Sequence, residues 1–215
     1  MRIILKPAGI VLMLIAITIP VLLAVINRRT SGVTGTTQVA SAMPAPHGEL
    51  AKNPGFEDGY TPVVPYSNVG KPVGQTAISW HDDSSWARVE VVYSQDTTRF
   101  HSGLSSQKIE VKKVVRGATD ADAVQFVQNV NLTVGKTYQS AIWVCAEKPV
   151  EVEYALRQAN GDYTYNGTKT VTADSEWQRI SLECPIISKD GDTYLFVRVK
   201  TPGTIWLDDA TCVEK

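Results

Sequence analysis

The chain has 215 residues, 43% of them hydrophobic and 20% charged, with a formal net charge of −1; this is a globular composition, and it excludes collagen-like and low-complexity disordered classes. Setting aside Arg2, Lys6, Arg28 and Arg29, which flank an N-terminal apolar stretch, leaves 17 basic residues against 22 acidic ones, a formal charge of −5. A body of that sign lacks the basic surface that phosphate neutralisation needs, so no nucleic acid is expected as a partner.

Residues 8–26 carry no charge. At ~1.5 Å rise per residue, a helix of that length spans roughly 28 Å, close to the ~30 Å hydrocarbon core of a bilayer. Pro20 would kink such a helix without excluding it. A cleaved signal peptide is the rival reading. It calls for small residues just after the apolar run, whereas Arg28 and Arg29 follow and Ala40-Ser41-Ala42 lies well downstream. Residues 1–29 are therefore read as a membrane anchor or signal sequence. Positive charge is nearly balanced on the two sides, so it does not set the topology. Residues 30–48 are rich in Gly, Ser and Pro and lack large apolar side chains, as a flexible linker does.

The body, residues 49–215, has no repeat and no long amphipathic helix. Period-two alternation predicts strands at 87–94, 106–114, 123–132, 136–146, 150–158, 168–172, 178–184, 193–200 and 204–208. Within them Ile109 and Val111 alternate with Lys108 and Glu110. Leu195, Val197 and Val199 likewise alternate with Tyr194, Phe196 and Arg198, so each strand has a core face. Turn signals at Val134-Gly135-Lys136, Asn160-Gly161 and Asp190-Gly191 connect neighbours antiparallel. The expected fold is all-β, a sandwich of two antiparallel sheets. Cys145, Cys184 and Cys212 have no metal-binding spacing and read as small buried hydrophobes, with one disulfide among them open if the body lies outside the cytoplasm.

Asn53-Pro-Gly-Phe-Glu-Asp-Gly59 near the start of the body, His101-Ser-Gly-Leu-Ser105, the glycine turn Leu132-Thr-Val-Gly-Lys-Thr-Tyr138 leading into Ser140-Ala-Ile-Trp-Val144, Trp177-Gln-Arg-Ile180 and the closing Trp206-Leu-Asp-Asp-Ala210 occur in that order. Together they resemble carbohydrate-binding modules of the family 4 and 9 type, within the galactose-binding-like jelly rolls. The resemblance implies a jelly roll whose first and last strands lie side by side, with a structural calcium near their junction. Glu57 and Asp208 match its acidic positions, Asp209 being the substitute for Asp208, and backbone oxygens near Asn53, His101 and Gly103 would complete the six to eight oxygen ligands that calcium takes.

The same resemblance implies glycan binding across the concave sheet or at its rim. Sugars are held by aromatic planes and planar polar groups. The candidates are Trp80 and Trp86 in a polar stretch, Tyr163 and Tyr165 after the Asn160-Gly161 turn, and Gln128 and Arg157 on central strands. Trp143, Trp177 and Trp206 read as packing residues. No nucleophile elbow, His-Glu-x-x-His or phosphate loop occurs, so no enzyme is expected. The expectation is a single-pass membrane protein with an extracytoplasmic C-terminal domain, secreted if the N-terminus is cleaved, that binds a polysaccharide or other glycan. The alternative is a cell-surface structural or protein-interaction sandwich.

Overall fold

The computed structural model describes residues 47–117, 122–188 and 192–215. The anchor or signal segment, and the linker up to residue 46, lie outside the described residues. No helix among the described residues is long and apolar enough to cross a membrane.

Twelve strands are formed among the described residues: β1 Tyr60–Pro62, β2 Lys71–Ala77, β3 His81–Asp82, β4 Val89–Asp96, β5 Ser106–Val114, β6 Val124–Val130, β7 Thr137–Ala146, β8 Val150–Gln158, β9 Tyr165–Ala173, β10 Gln178–Pro185, β11 Thr193–Val199 and β12 Gly203–Glu214. They make a seven-stranded sheet in the order β1-β2-β4-β5-β12-β7-β10 and a five-stranded sheet in the order β3-β6-β11-β8-β9. The nine expected strands correspond to β4 to β12. The additional β1, β2 and β3 come from a stretch without alternation. β2 runs parallel to β4, so the larger sheet is mixed rather than purely antiparallel. At their contact Gly74 adopts φ +96°, and a Cβ there would stand 2.0 Å from the Tyr93 carbonyl oxygen, which only glycine permits.

One apolar cluster fills the space between the sheets. It joins Ile109, Ile142, Val144, Ile180 and Leu207 of the larger sheet to Val124, Tyr154, Leu156, Leu195 and Val197 of the smaller. An aromatic column ties the two together. Trp80 stacks on Phe126 with ring centres 5.2 Å apart and planes 7° from parallel, while Phe56 and Tyr93 pack at 5.2 Å from Trp80 and 5.6 Å from Phe126 respectively. A smaller cluster of Val127, Ala155 and Phe196, with Tyr194 against it, lies apart from this core. It belongs to the opposite face of the five-stranded sheet, because those residues alternate with the core positions along β6, β8 and β11.

The closing strand is longer than expected. β12 passes through Asp208 and Asp209 by a bulge, with Asp209 at φ +43°, and resumes pairing with β7 from Thr211 to Glu214. β12 does not pair with β1, which sits at the far edge of its sheet. What accompanies β12 is the segment before β1: the Leu50 amide donates to the Cys212 carbonyl and the Ala210 amide to the Pro54 carbonyl.

The three cysteines are buried and free. Cys184 and Cys212 lie on β10 and β12, on opposite sides of β7, opposite Tyr138 and Ser140 respectively. Two strand spacings of ~4.8 Å exceed the ~4.4–6.8 Å reach of a disulfide, so this pair does not bridge.

Candidate functional site

The acidic ends and the 101–105 turn do meet. The Glu57 carboxylate accepts hydrogen bonds from the Leu104 and Ser105 amides at 2.8 and 3.0 Å. Asp208 accepts from the His101, Ser102 and Asp209 amides at 2.7, 3.2 and 2.8 Å. Asp209 takes the Ser102 hydroxyl on one oxygen and lies 2.6 Å from Nδ1 of His101 with the other. The His101 ring stacks on Trp143 at 3.8 Å. Burial, and then the adjacent Asp209 carboxylate, push Asp208 up to about 8 against the pull of its amide donors. Gly103 carries the turn at φ +69°. Asn53, at φ +46°, closes the opposite turn by accepting from the Asp58 amide and donating to the Ile78 carbonyl.

Here the carboxylates accept from backbone amides and, at Asp209, from the Ser102 hydroxyl. No group of three or more His, Cys, Asp or Glu side chains among the described residues is arranged to hold a metal ion. Through these bonds Glu57 and Asp208 clamp the 101–105 turn between the opening segment and β12; calcium at Glu57 and Asp208 with Asn53, His101 and Gly103 is a proposal that the resemblance implies. Treating the purified chain with a chelator tests this: a calcium held there predicts a Tm that falls on chelation and returns with calcium, and an unchanged Tm would remove the site.

The other residues expected at a site separate into two groups. Trp80 is a core residue, 3% exposed, held in the aromatic column with its Nε1 donating to the Asn53 carbonyl at 3.4 Å. It has no face to offer a ligand. Gln128 is also turned inward: its amide accepts from the Lys52 amide and donates to the Lys52 carbonyl, pinning the opening segment to β6. Trp86, Arg157 and Tyr163, in contrast, come together.

They line a pocket of about 620 Å³ with Tyr66, Asp83, Gln125, Ala159, Asn160, Tyr194 and Arg198, within the ~300–1,000 Å³ usual for small-molecule sites. The floor is the outer face of the five-stranded sheet, where Gln125 of β6, Arg157 of β8 and Tyr194 and Arg198 of β11 are brought together by strand pairing; Tyr194 lies directly opposite Arg157. Two loop walls rise from it. The first carries Tyr66, Asp83 and Trp86, whose ring is 39% exposed and whose Nε1 donates to the Asp83 carbonyl. The second is the β8–β9 turn. Gly161 at φ +75° reverses the chain there, and Tyr163, 54% exposed, adopts φ +53°, a left-handed conformation rare for an aromatic residue and one that accumulates at functional sites. Tyr165 stands outside the pocket lining, edge-on to Phe196 at 6.1 Å.

Arg157 is the centre of the arrangement. Its guanidinium packs over Phe196 at 4.2 Å, with Tyr163 and Tyr194 at 5.2 and 5.8 Å. It contacts Asp83 at 3.4 Å, and Arg198 pairs with Glu153 at 2.6 Å. Gln125 Oε1, Arg157 Nε and Arg198 Nε are buried without a hydrogen-bond partner among the described residues. Buried polar atoms are ordinarily paired, so this set is suited to a ligand that both donates and accepts. Burial raises Asp83 above its ordinary value, opposed by the Tyr66 hydroxyl and Arg157. The sequence signal for Tyr194 and Arg198 was their alternation with core residues on β11, an outward face bearing an aromatic ring and a cation. Tyr66 and Gln125 carried no signal.

No family model matches the chain, and no curated protein matches it either. Solved structures do. A family 4 carbohydrate-binding module superposes with a TM-score of 0.54 at 18% identity, over 76% of this chain and 99% of the module. A family 61 module solved in complex with β-1,4-galactotriose gives a TM-score of 0.51 at 19% identity, over 78% and 99%. The fold is that of the carbohydrate-binding modules. At these identities the likeness carries the architecture, and the chemistry of the site rests on the residues in this chain.

Proposed function

We propose that the body is a non-catalytic glycan-binding domain whose ligand occupies the pocket between Trp86 and Tyr163, and that residues 8–26 anchor it in a membrane with the domain outside the cytoplasm. The observation that carries the binding reading is the convergence, in one pocket, of exposed rings on two facing loops with guanidinium and amide groups on the floor between them. Ring faces take the apolar faces of sugars, and the floor takes hydroxyls, which donate and accept. The carbohydrate-binding-module architecture and the galactotriose held by one of its structural neighbours support the same class of ligand. The anchor rests on the uncharged run and its flanking arginines alone.

The test is a screen of the purified full chain against immobilised neutral and acidic polysaccharides, followed by Tyr163→Ala. The variant is expected to lose about tenfold in affinity, the scale of one lost ring contact with its hydration, at an unchanged Tm. Failure to retain any glycan would overturn the reading in favour of a surface for a partner protein.

A further inference from the structure

The first pocket wall is not held by packing alone, and one residue ties it to the floor. Asp83 Oδ1 accepts from the Tyr66 hydroxyl at 3.1 Å, and its Oδ2 faces the Arg157 Nη2 at 3.4 Å. Its backbone carbonyl accepts from Trp86 Nε1 at 2.8 Å, while its own amide donates to the Gln125 carbonyl on the floor strand. Tyr66, Trp86, Arg157 and Gln125 all line the pocket, so this one residue ties the first wall to the centre of the floor. Tyr66, at 61% exposed, is otherwise tied to Ser85, whose hydroxyl accepts from its amide at 3.3 Å.

Resting on the glycan-binding reading of the same pocket, we propose that Asp83 is a positioning residue and that the pocket is competent only while its carboxylate is ionised. The carboxylate form accepts from Tyr66 and from Arg157 at once. The protonated form loses the charge that attracts the guanidinium and has one fewer acceptor site to offer, which loosens its hold on Arg157 and Tyr66. The groups that face Asp83 are Tyr66 from the preceding loop, His81 and Asp82 from β3, Arg157 from β8 and Tyr194 from β11. Of these, Asp82 is committed to the hydroxyls of Ser84 and Tyr93 inside the domain, and His81 lies edge-on to Tyr194. Burial holds Asp83 above an ordinary aspartate, so competence is lost on the acid side at a higher pH than an exposed carboxylate would give.

The experiment is retention of the full chain by the best-bound immobilised polysaccharide between pH 4 and 8, with Tm followed in parallel. Wild type is expected to bind at neutral pH and to lose at least about tenfold on acidification while still folded. Asp83→Asn is expected to bind weakly at every pH, with a flat profile. His81→Gln keeps the acid limb, and Tyr66→Phe keeps it too while weakening binding at least about tenfold, as loss of one hydrogen bond to a charged group should. Wild-type binding with Asp83→Asn equally tight and the acid limb intact would overturn the role of Asp83 and leave the glycan site standing. A wild type that binds no polysaccharide at any pH would overturn both.

Discussion

Replacing Arg157 with alanine is expected to lower glycan affinity by at least about thirtyfold, the largest effect of any single change at the pocket. The guanidinium offers several donors in a fixed plane and covers Phe196 at 4.2 Å, and its contact with Asp83 spans from the floor to the wall. Removing it deletes the donors and uncovers an apolar ring. It also leaves the Asp83 carboxylate, mostly buried, without its counter-charge; losses of one charged partner at such sites run to ~2–5 kcal/mol. Arg157→Lys restores the charge without the planar stack on Phe196 and Tyr163, so it is expected to recover only part of the affinity. Calorimetry on the pair of variants reads the two contributions separately. Equal affinity of wild type and Arg157→Ala would move the ligand off this face.

Trp80→Ala is expected to have the largest effect on stability, about 3–5 kcal/mol by chemical denaturation, as for other buried aromatics truncated to alanine. Trp80 is the middle ring between Phe56 and Phe126, and Phe126 passes the contact on to Tyr93 on the other sheet. Its loss opens a space that both sheets would have to close, and it releases the Asn53 carbonyl from the indole N–H. Against the ~5–15 kcal/mol that holds a typical domain together, such a loss brings the chain near its folding threshold. Trp86→Ala, six residues later and 39% exposed, is expected to leave the denaturation midpoint nearly unchanged. A loss under about 1 kcal/mol for Trp80→Ala would contradict its place in the column.

These two tryptophans also show how far the sequence could be read. They sit in the same polar stretch around His81, Asp82 and Asp83, and nothing local separates them. Their fates are decided by Phe126, which the pairing of β3 with β6 brings onto Trp80, and by Phe56 from the opening turn. The strands with strict alternation, such as 106–114 and 193–199, were legible because one face of each enters the core. β2 was not, because Lys-Pro-Val-Gly-Gln-Thr-Ala has no apolar period and is held by backbone pairing through Gly74 instead.

At the pocket, Arg157 was legible as a planar polar group on a central strand, and Tyr163 as a ring after a glycine turn. Asp83, Tyr66 and Gln125 were not: their role exists only once β3, β6 and β8 share one sheet and the loops fold over it. Glu57 and Asp208 meet at one turn, where they accept from the amides of residues 101–105; side-chain identity alone does not reveal which backbone donors a carboxylate will face.

The most direct measurement is tryptophan emission during titration with the oligosaccharide best retained in the screen. The chain holds five tryptophans, and only Trp86 lines the pocket. A ligand seated there should shift the emission in wild type, and Trp86→Phe should abolish the shift while Trp143→Phe and Trp177→Phe preserve it. A shift that survives Trp86→Phe and vanishes with Trp143→Phe or Trp177→Phe would put the ligand on the seven-stranded sheet and contradict the proposed site.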